Sequence, residues 1–274
     1  MAATSGVIEA RNVFKAFVAR SHRQQRAFLA LHAITLSVAP GRFVSFVGPS
    51  GCGKSTLLNM VAGLIRPTQG EIWYKSRPVG GINTDVGYIT QDDNLLPWRT
   101  LVENVEVALE FRGVAQAERH SRAERYIARV GLAGFEHHYP HELSGGMRKR
   151  TALIRTLIYE PDVILMDEPF GPLDAQTRVI LQDELLKLWE GSGKTIVFVT
   201  HDLVEAIALS DEIVLFSRAP GTIKRVYEVP LARPRDVFRV HADPRFPAFY
   251  DQLWRDLKEE ISQMDLEGAV HGHG

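Results

Sequence analysis

The segment Gly48-Pro49-Ser50-Gly51-Cys52-Gly53-Lys54-Ser55-Thr56 combines the residue types that hold a chain of phosphates. Its glycines let the backbone curl so that successive N–H groups face one anion. A helix opening at Ser55 would turn its positive N-terminal end to the same place. Lys54 adds a mobile positive charge for the β and γ phosphates, and the Ser55 hydroxyl is a ligand for Mg²⁺. An apolar stretch, 42–47, precedes the turn. After it, Leu57, Leu58, Val61 and Ala62 recur at helical spacing over 55–63. That setting favours a nucleotide-binding loop over a chance glycine turn. Cys52 lies inside the loop, where a positive field would favour its thiolate. If the side chain faces the core instead, it is inert, as most free cysteines are.

A second constellation follows later in the chain. Residues 162–166 read as an apolar strand that ends at Asp167 and Glu168. Such a strand buries its body and presents its C-terminal end at the crevice where ligands bind. Asp167 can hold Mg²⁺ through a water or Ser55. Glu168 points elsewhere and can take a proton from an attacking water. Alone, the pair would be a solvated strand end; beside a phosphate loop it reads as machinery. His201 follows another apolar strand, 195–200, and by the same rule reaches the same sheet edge, as a donor to the γ-phosphate. A lone histidine is more often structural. Gln91 ends the strand 85–90 and can reach Mg²⁺ or the water.

These groups need a scaffold. Strands are expected at 7–13, 31–38, 42–47, 71–74, 85–90, 162–166, 195–200 and 212–216, with a polar loop at 19–26. Helices are expected at 55–63, 101–111, 117–130, 145–158, 175–190 and 203–209. Strand–helix alternation implies a parallel sheet wrapped by helices. The helical middle reads as a subdomain inserted into that α/β core. Over 245–264, Phe249, Leu253, Leu257 and Ile261 recur every four residues, an amphipathic helix expected to pack on the domain. His271 and His273 near the C-terminus could hold a metal, but a frayed tail accounts for them better.

Composition narrows the class. A formal net charge of -1 provides no global basic field for nucleic acid or acidic lipid. No apolar run approaches the roughly 18–20 residues that span a bilayer. The opening residues lack the basic start and apolar core of a signal peptide. A single cysteine excludes an internal disulfide and suits a reducing compartment. The chain is therefore expected in the cytoplasm, and any membrane contact must come through a partner.

Leu143-Ser144-Gly145-Gly146-Met147 opens the expected helix at 145 and forms a second anion-binding helix terminus. Alone it would be a helix cap. Between a phosphate loop and an Asp-Glu strand, it resembles the signature of ABC ATPases. The other parts stand in family order: Gln91 resembles the Q-loop, Leu173-Asp174 the D-loop, and His201 the switch histidine. Phe17 resembles the aromatic that stacks on adenine, with Phe28 as a rival. The resemblance spans roughly 7–229. It implies a P-loop NTPase (RecA-like) core with an antiparallel β subdomain and an inserted ABC-type α-helical subdomain. The ATP-binding domain would cover 7–240, with the helical insert at about 92–158 and a C-terminal helix and tail at 241–274.

A narrower resemblance rests on Gln91-Asp92-Asp93-Asn94-Leu95-Leu96-Pro97-Trp98-Arg99-Thr100 and on 166–178, from Met166 to Arg178. Both look like the ATPase subunits of nitrate, sulfonate and taurine importers. Three departures stand out: Phe17 where tyrosine is usual, Lys149 for the commoner Gln after the signature, and Pro172 for the usual Ala. The resemblance implies an ATP- and Mg²⁺-dependent ATPase at the cytoplasmic face of the inner membrane. Two copies would pair head to tail, so that Ser144 and Gly146 of one meet the γ-phosphate held by Lys54 of the other. It implies transmembrane permease subunits as partners, a separate solute-binding protein, and no nucleic acid. Leu95, Leu96, Pro97 and Trp98 suit a groove for a permease helix, or else the subdomain core. The alternatives are non-transport ABC ATPases. Repair types separate loop and signature by a long coiled coil, whereas fewer than a hundred residues separate Ser55 from Leu143. Translation types normally carry two cassettes, and no Asn-Lys-x-Asp of a GTPase occurs.

Overall fold

The computed structural model describes the backbone of residues 6–21 and 24–271, and side chains over 6–18 and 27–262. The histidines His271 and His273 lie outside the described side chains. In chain order the strands are β1 (Ile8–Ser21), β2 (Gln24–Val38), β3 (Phe43–Val47), β4 (Gln69–Tyr74), β5 (Arg77–Pro78), β6 (Val86–Ile89), β7 (Val163–Asp167), β8 (Thr195–Val199), β9 (Glu212–Phe216) and β10 (Ile223–Glu228). The helices are α1 (Lys54–Val61), α2 (Leu101–Glu110), α3 (Gln116–Arg129), α4 (Gly145–Leu157), α5 (Ala175–Trp189), α6 (Leu203–Leu209) and α7 (Phe246–His271). The chain divides into two compact units, one of Met1–Thr84 with Gly193–Gly274, the other of Asp85–Ser192.

In the first unit an antiparallel sheet has the order β2-β1-β4-β5. The polar loop expected at 19–26 is not there. Its backbone continues β1 and β2 into one long hairpin, paired out to Ser21↔Gln24. Polar composition misled here. No glycine or proline interrupts 14–29, and an antiparallel ladder tolerates water on its faces. The same unit holds β3 between β8 and β9, parallel to both, with β10 antiparallel to β9. Every residue of β3 and β8 is buried, as strands covered on both faces require. Strand β10 has no counterpart among the expected elements, because only Tyr227 of its six residues is buried and no alternation signals it.

Helix α7 belongs to this unit. Phe249, Leu253 and Leu257 are buried, while Ile261 sits at the rim. Phe249 meets the Tyr227 ring edge-on at 6.1 Å, and Lys224 pairs with Glu259 and Glu260. Its apolar face is therefore covered by its own unit.

In the second unit β6 and β7 run parallel, in register from Val86↔Val163 to Ile89↔Met166. Helices α2, α3 and α4 enclose a core that includes Leu101, Val105, Ile127, Ile154 and Ile158. A capping box starts α2: the Glu103 carboxylate accepts from the Thr100 N–H at 2.7 Å. This unit contains the helices expected of the insert, together with β6, β7 and α5. The mixed α/β fold, with separate parallel and antiparallel sheets, is that of a P-loop NTPase.

Candidate nucleotide site

In the first unit the phosphate loop joins β3 to α1. The helix begins on Gly53, whose φ of 98° is open to glycine and strained for other residues. A Cβ there would also lie 2.5 Å from Leu31 Cδ2. Gly53 supplies no capping side chain to α1, and the first turn of that helix contains Ser55 and Thr56. Lys54 is buried, and its ammonium donates to the carbonyls of Gly48 (2.7 Å) and Pro49 (2.8 Å). A helix N-terminus beside a fixed cation makes a donor set that fits a polyphosphate.

The Cys52 side chain is fully buried. Its Sγ lies 3.6 Å from Lys54 Nζ. Burial pushes the thiol pKa up, outweighing the opposing pull of Lys54. The structure thus turns the side chain inward, and the positive field does not yield a reactive thiolate. The Cys52 backbone is engaged too: its N–H donates to Pro49 O at 3.4 Å, and its carbonyl lies against Gly221.

His201 stands where the strand rule puts it. Phe46 and Val199 are register partners in β3 and β8, so the residues that follow them leave from one sheet edge. Its neighbours are fixed. Thr200 is buried and donates to Glu205, and Asp202 caps α6 by accepting from Val204 N (2.8 Å) and Glu205 N (3.2 Å). The imidazole between them is exposed. The adenine candidates are not separate places: Phe17 and Phe28 are direct cross-strand partners, so they share one face of the hairpin. They are 41% and 51% exposed, and Lys15 Nζ lies over the Phe17 ring, 4.9 Å from its centroid.

In the second unit Asp167 ends β7, and Glu168 follows in a left-handed conformation, φ 44°. A non-glycine residue there is strained, a frequent condition of functional turns. The turn is closed by Gly171 N donating to Glu168 O at 3.2 Å. Gln91 leaves the neighbouring strand at the same end. Its side-chain amide lies 3.7 Å from where a Cβ on Gly171 would sit. Tyr88, absent from the sequence reading, adjoins them; burial, and then the Asp167 charge, hold its phenol well above the ordinary value.

Also in this unit, Ser144 caps α4 by accepting from Met147 N at 3.3 Å. A cavity of about 350 Å³ opens there, lined by Ser144, Gly145, Gly146, Leu173, Asp174 and Thr177. Asp174 caps α5, and the Thr177 backbone N–H holds its carboxyl below the usual range. Pro172 lines the same cavity. The segment after Gln91 divides between the two readings open for it. Leu95 is buried, whereas Trp98 is 71% exposed. Asn104, fully buried, pins this loop through Leu96 N and the carbonyls of Leu96, Arg99 and Thr100. Neither Asn104 nor the role of Lys149 was legible in spacing; a polar residue inside an amphipathic helix was the available signal for the first.

Among the described residues no helix is long and apolar enough to cross a membrane. A family model described as ABC transporter matches residues 31–171. An ABC transporter ATP-binding protein of Methanocaldococcus jannaschii is 43% identical over 254 residues, 93% of this chain and 92% of that protein. The taurine import ATP-binding protein TauB of Burkholderia pseudomallei is 41% identical, covering 85% of this chain and 93% of its own. A solved dimeric ATP-binding cassette in a post-hydrolysis state, bound to ADP and Pi, superposes with a TM-score of 0.71 at 33% identity, over 82% of this chain and all of that one. The chain belongs to the ABC transporter family, as an ATP-hydrolysing subunit.

Proposed function

We propose that this ATPase drives an importer of small anions such as taurine, another sulfonate or nitrate, working as a nucleotide-sandwich pair of identical chains beneath a permease. The observation that carries the pairing is the cavity at the start of α4. It presents the capping serine, two glycines and a helix N-terminus, groups suited to phosphate oxygens, with the Asp174 carboxylate that caps α5 also in its lining. Its one arginine, Arg150, is engaged by Glu184 at 2.8 Å. The complementary set, a cation at a helix N-terminus, stands at Lys54. An ATP held by Lys54 of one copy and met by Ser144, Gly145 and Gly146 of the other is neutralised only when both are present. Closure then follows binding, and hydrolysis releases it. The dimeric cassette with ADP and Pi supports this reading.

Within each copy Phe17 and Phe28 offer the adenine surface, and Gly48 to Thr56 the phosphate cradle. Ser55, Gln91 and Asp167 are the groups that would hold Mg²⁺. Few protein ligands with phosphate oxygens completing the shell is the usual Mg²⁺ arrangement. When bound, Mg²⁺ neutralises the developing phosphate charge. Glu168 accepts the proton of the attacking water, Gln91 orients that water, and His201 donates to the γ-phosphate. The exposed Trp98 face meets the permease, which keeps the chain at the cytoplasmic side of the membrane without a span of its own.

The relatives named for taurine import support the anion class. Growth of a deletion strain on single sulfur and nitrogen sources tests it. A defect confined to sulfonates or nitrate is expected, and normal growth on all of them would sink the assignment.

A further inference from the structure

Helix α4 grips the segment that carries Gln91. Lys149, buried, donates through Nζ to the backbone carbonyls of Thr90 (3.1 Å) and Gln91 (2.7 Å). Arg148 Nε donates to the Asp93 carboxylate at 3.0 Å. Arg155, about two turns on from Arg148, donates to the carbonyls of Asp93 and Asn94, both at 2.8 Å. Three cations of one helix thus hold five acceptors of one short loop. The Arg148 and Arg155 contacts lie at the loop's outer end. Lys149 alone takes the two carbonyls that flank the Gln91 amide nitrogen and fix its side-chain exit.

The same helix starts at the signature. Lys149 stands five residues beyond Ser144, a rise of about 7.5 Å. A rigid helix of that length cannot move its N-terminus without moving Lys149. We propose that Lys149 is a positioning residue that joins the signature to Gln91, so that contact of Ser144–Gly146 with a phosphate is read directly in the placement of the Gln91 side chain. The inference rests on the reading of those residues as phosphate-facing groups. A buried ammonium is costly unless its hydrogen bonds are made. The two carbonyls offset part of that cost, burial still holding the ammonium pKa below its ordinary value, and charge-assisted bonds fix geometry more tightly than neutral ones. The chain departs from the commoner Gln here by using a longer, stronger donor.

The test compares Lys149→Met and Lys149→Gln in the full chain. Methionine keeps the stem and removes the donor; glutamine restores N–H groups. Losing hydrogen bonds to a charged group amounts to roughly tenfold to a hundredfold in equilibrium terms. Lys149→Met is therefore expected to raise amide exchange over 90–94 by about tenfold or more and to lower kcat comparably, with the Kd for ATP within about twofold because the Lys54 loop is intact. Lys149→Gln is expected to restore both exchange and kcat. Wild-type exchange over 90–94 in Lys149→Met, failure of Gln to rescue, or a Kd that worsens in step with kcat would overturn the proposal. A wild-type chain that bound no ATP would instead overturn the nucleotide reading, and the exchange comparison would still decide whether Lys149 holds the segment.

Discussion

A Cβ placed on Gly221 would lie 1.9 Å from the carbonyl oxygen of Cys52. The β9–β10 turn therefore presses on the outer side of the phosphate loop. The turn is itself held: Gly221 N donates to Ala30 O, His32 N donates to Gly221 O, and Arg218 N donates to the buried Glu260 carboxylate of α7. The path of the loop at Cys52 thus depends on a glycine 169 positions later in the chain.

Gly221→Ala is expected to weaken ATP binding without touching a phosphate-facing group. Forcing a methyl into this contact costs about 1–3 kcal/mol, and about 1.4 kcal/mol is tenfold in affinity. A fluorescent-nucleotide titration should show Kd raised about tenfold or more, with the fold retained by circular dichroism. An unchanged Kd would mean that the turn yields and the loop does not depend on it.

Glu168→Gln is expected to keep ATP binding and stop turnover, because an amide cannot accept the proton of the attacking water. A general base contributes about 10²–10⁴-fold in rate. With MgATP the variant should elute as a dimer on gel filtration, since the closed pair no longer discharges. Turnover at the wild-type rate would remove Glu168 from that role.

Leu95 and Trp98 should separate cleanly. Leu95→Ala empties a buried position and should cost about 2–5 kcal/mol of stability. Trp98→Ala removes an exposed ring and should leave thermal unfolding within about a degree or two of wild type. It should nevertheless weaken capture by permease-containing membranes. Equal capture by Trp98→Ala and wild type would leave the exposed ring without the role assigned to it.

How much of this was legible in the sequence differs by feature. The positions of the loop, the Asp-Glu pair, Gln91 and His201 at the ends of strands were readable, because each combines a residue type with a strand or helix boundary. Strand β8 and helix α6 fall within a residue of expectation because apolar runs and the Asp202 cap mark them. The hairpin and β10 were not readable, since their pairing is made by backbone groups under polar or exposed side chains. Contacts such as Gly221 with Cys52, or Lys149 with Gln91, join residues 58 to 169 positions apart. Nothing in local spacing encodes them.

Cys52 gives the sharpest case of local reasoning overturned by packing. The loop does surround it with a cation and a helix start, and a thiol in such a field would ordinarily be reactive. Burial opposes that field and wins, because a thiolate in a dry pocket loses more hydration than one nearby ammonium returns. Lys54 is moreover committed to the Gly48 and Pro49 carbonyls. Native protein is therefore expected to take up maleimide slowly, and MgATP is expected to leave the rate unchanged, since the sulfur is already buried without nucleotide. Denaturant should make the same sulfur label fully, and mass spectrometry reads the result without ambiguity because the chain has one cysteine. Cys52→Ser places a hydroxyl where a thiol packs among apolar groups beside Lys54. It should keep ATP binding while lowering the unfolding midpoint by several degrees, as a buried polar atom of about 1–3 kcal/mol would. Fast labelling of the native chain that MgATP slows would show the sulfur facing the ligand and would return Cys52 to the phosphate side.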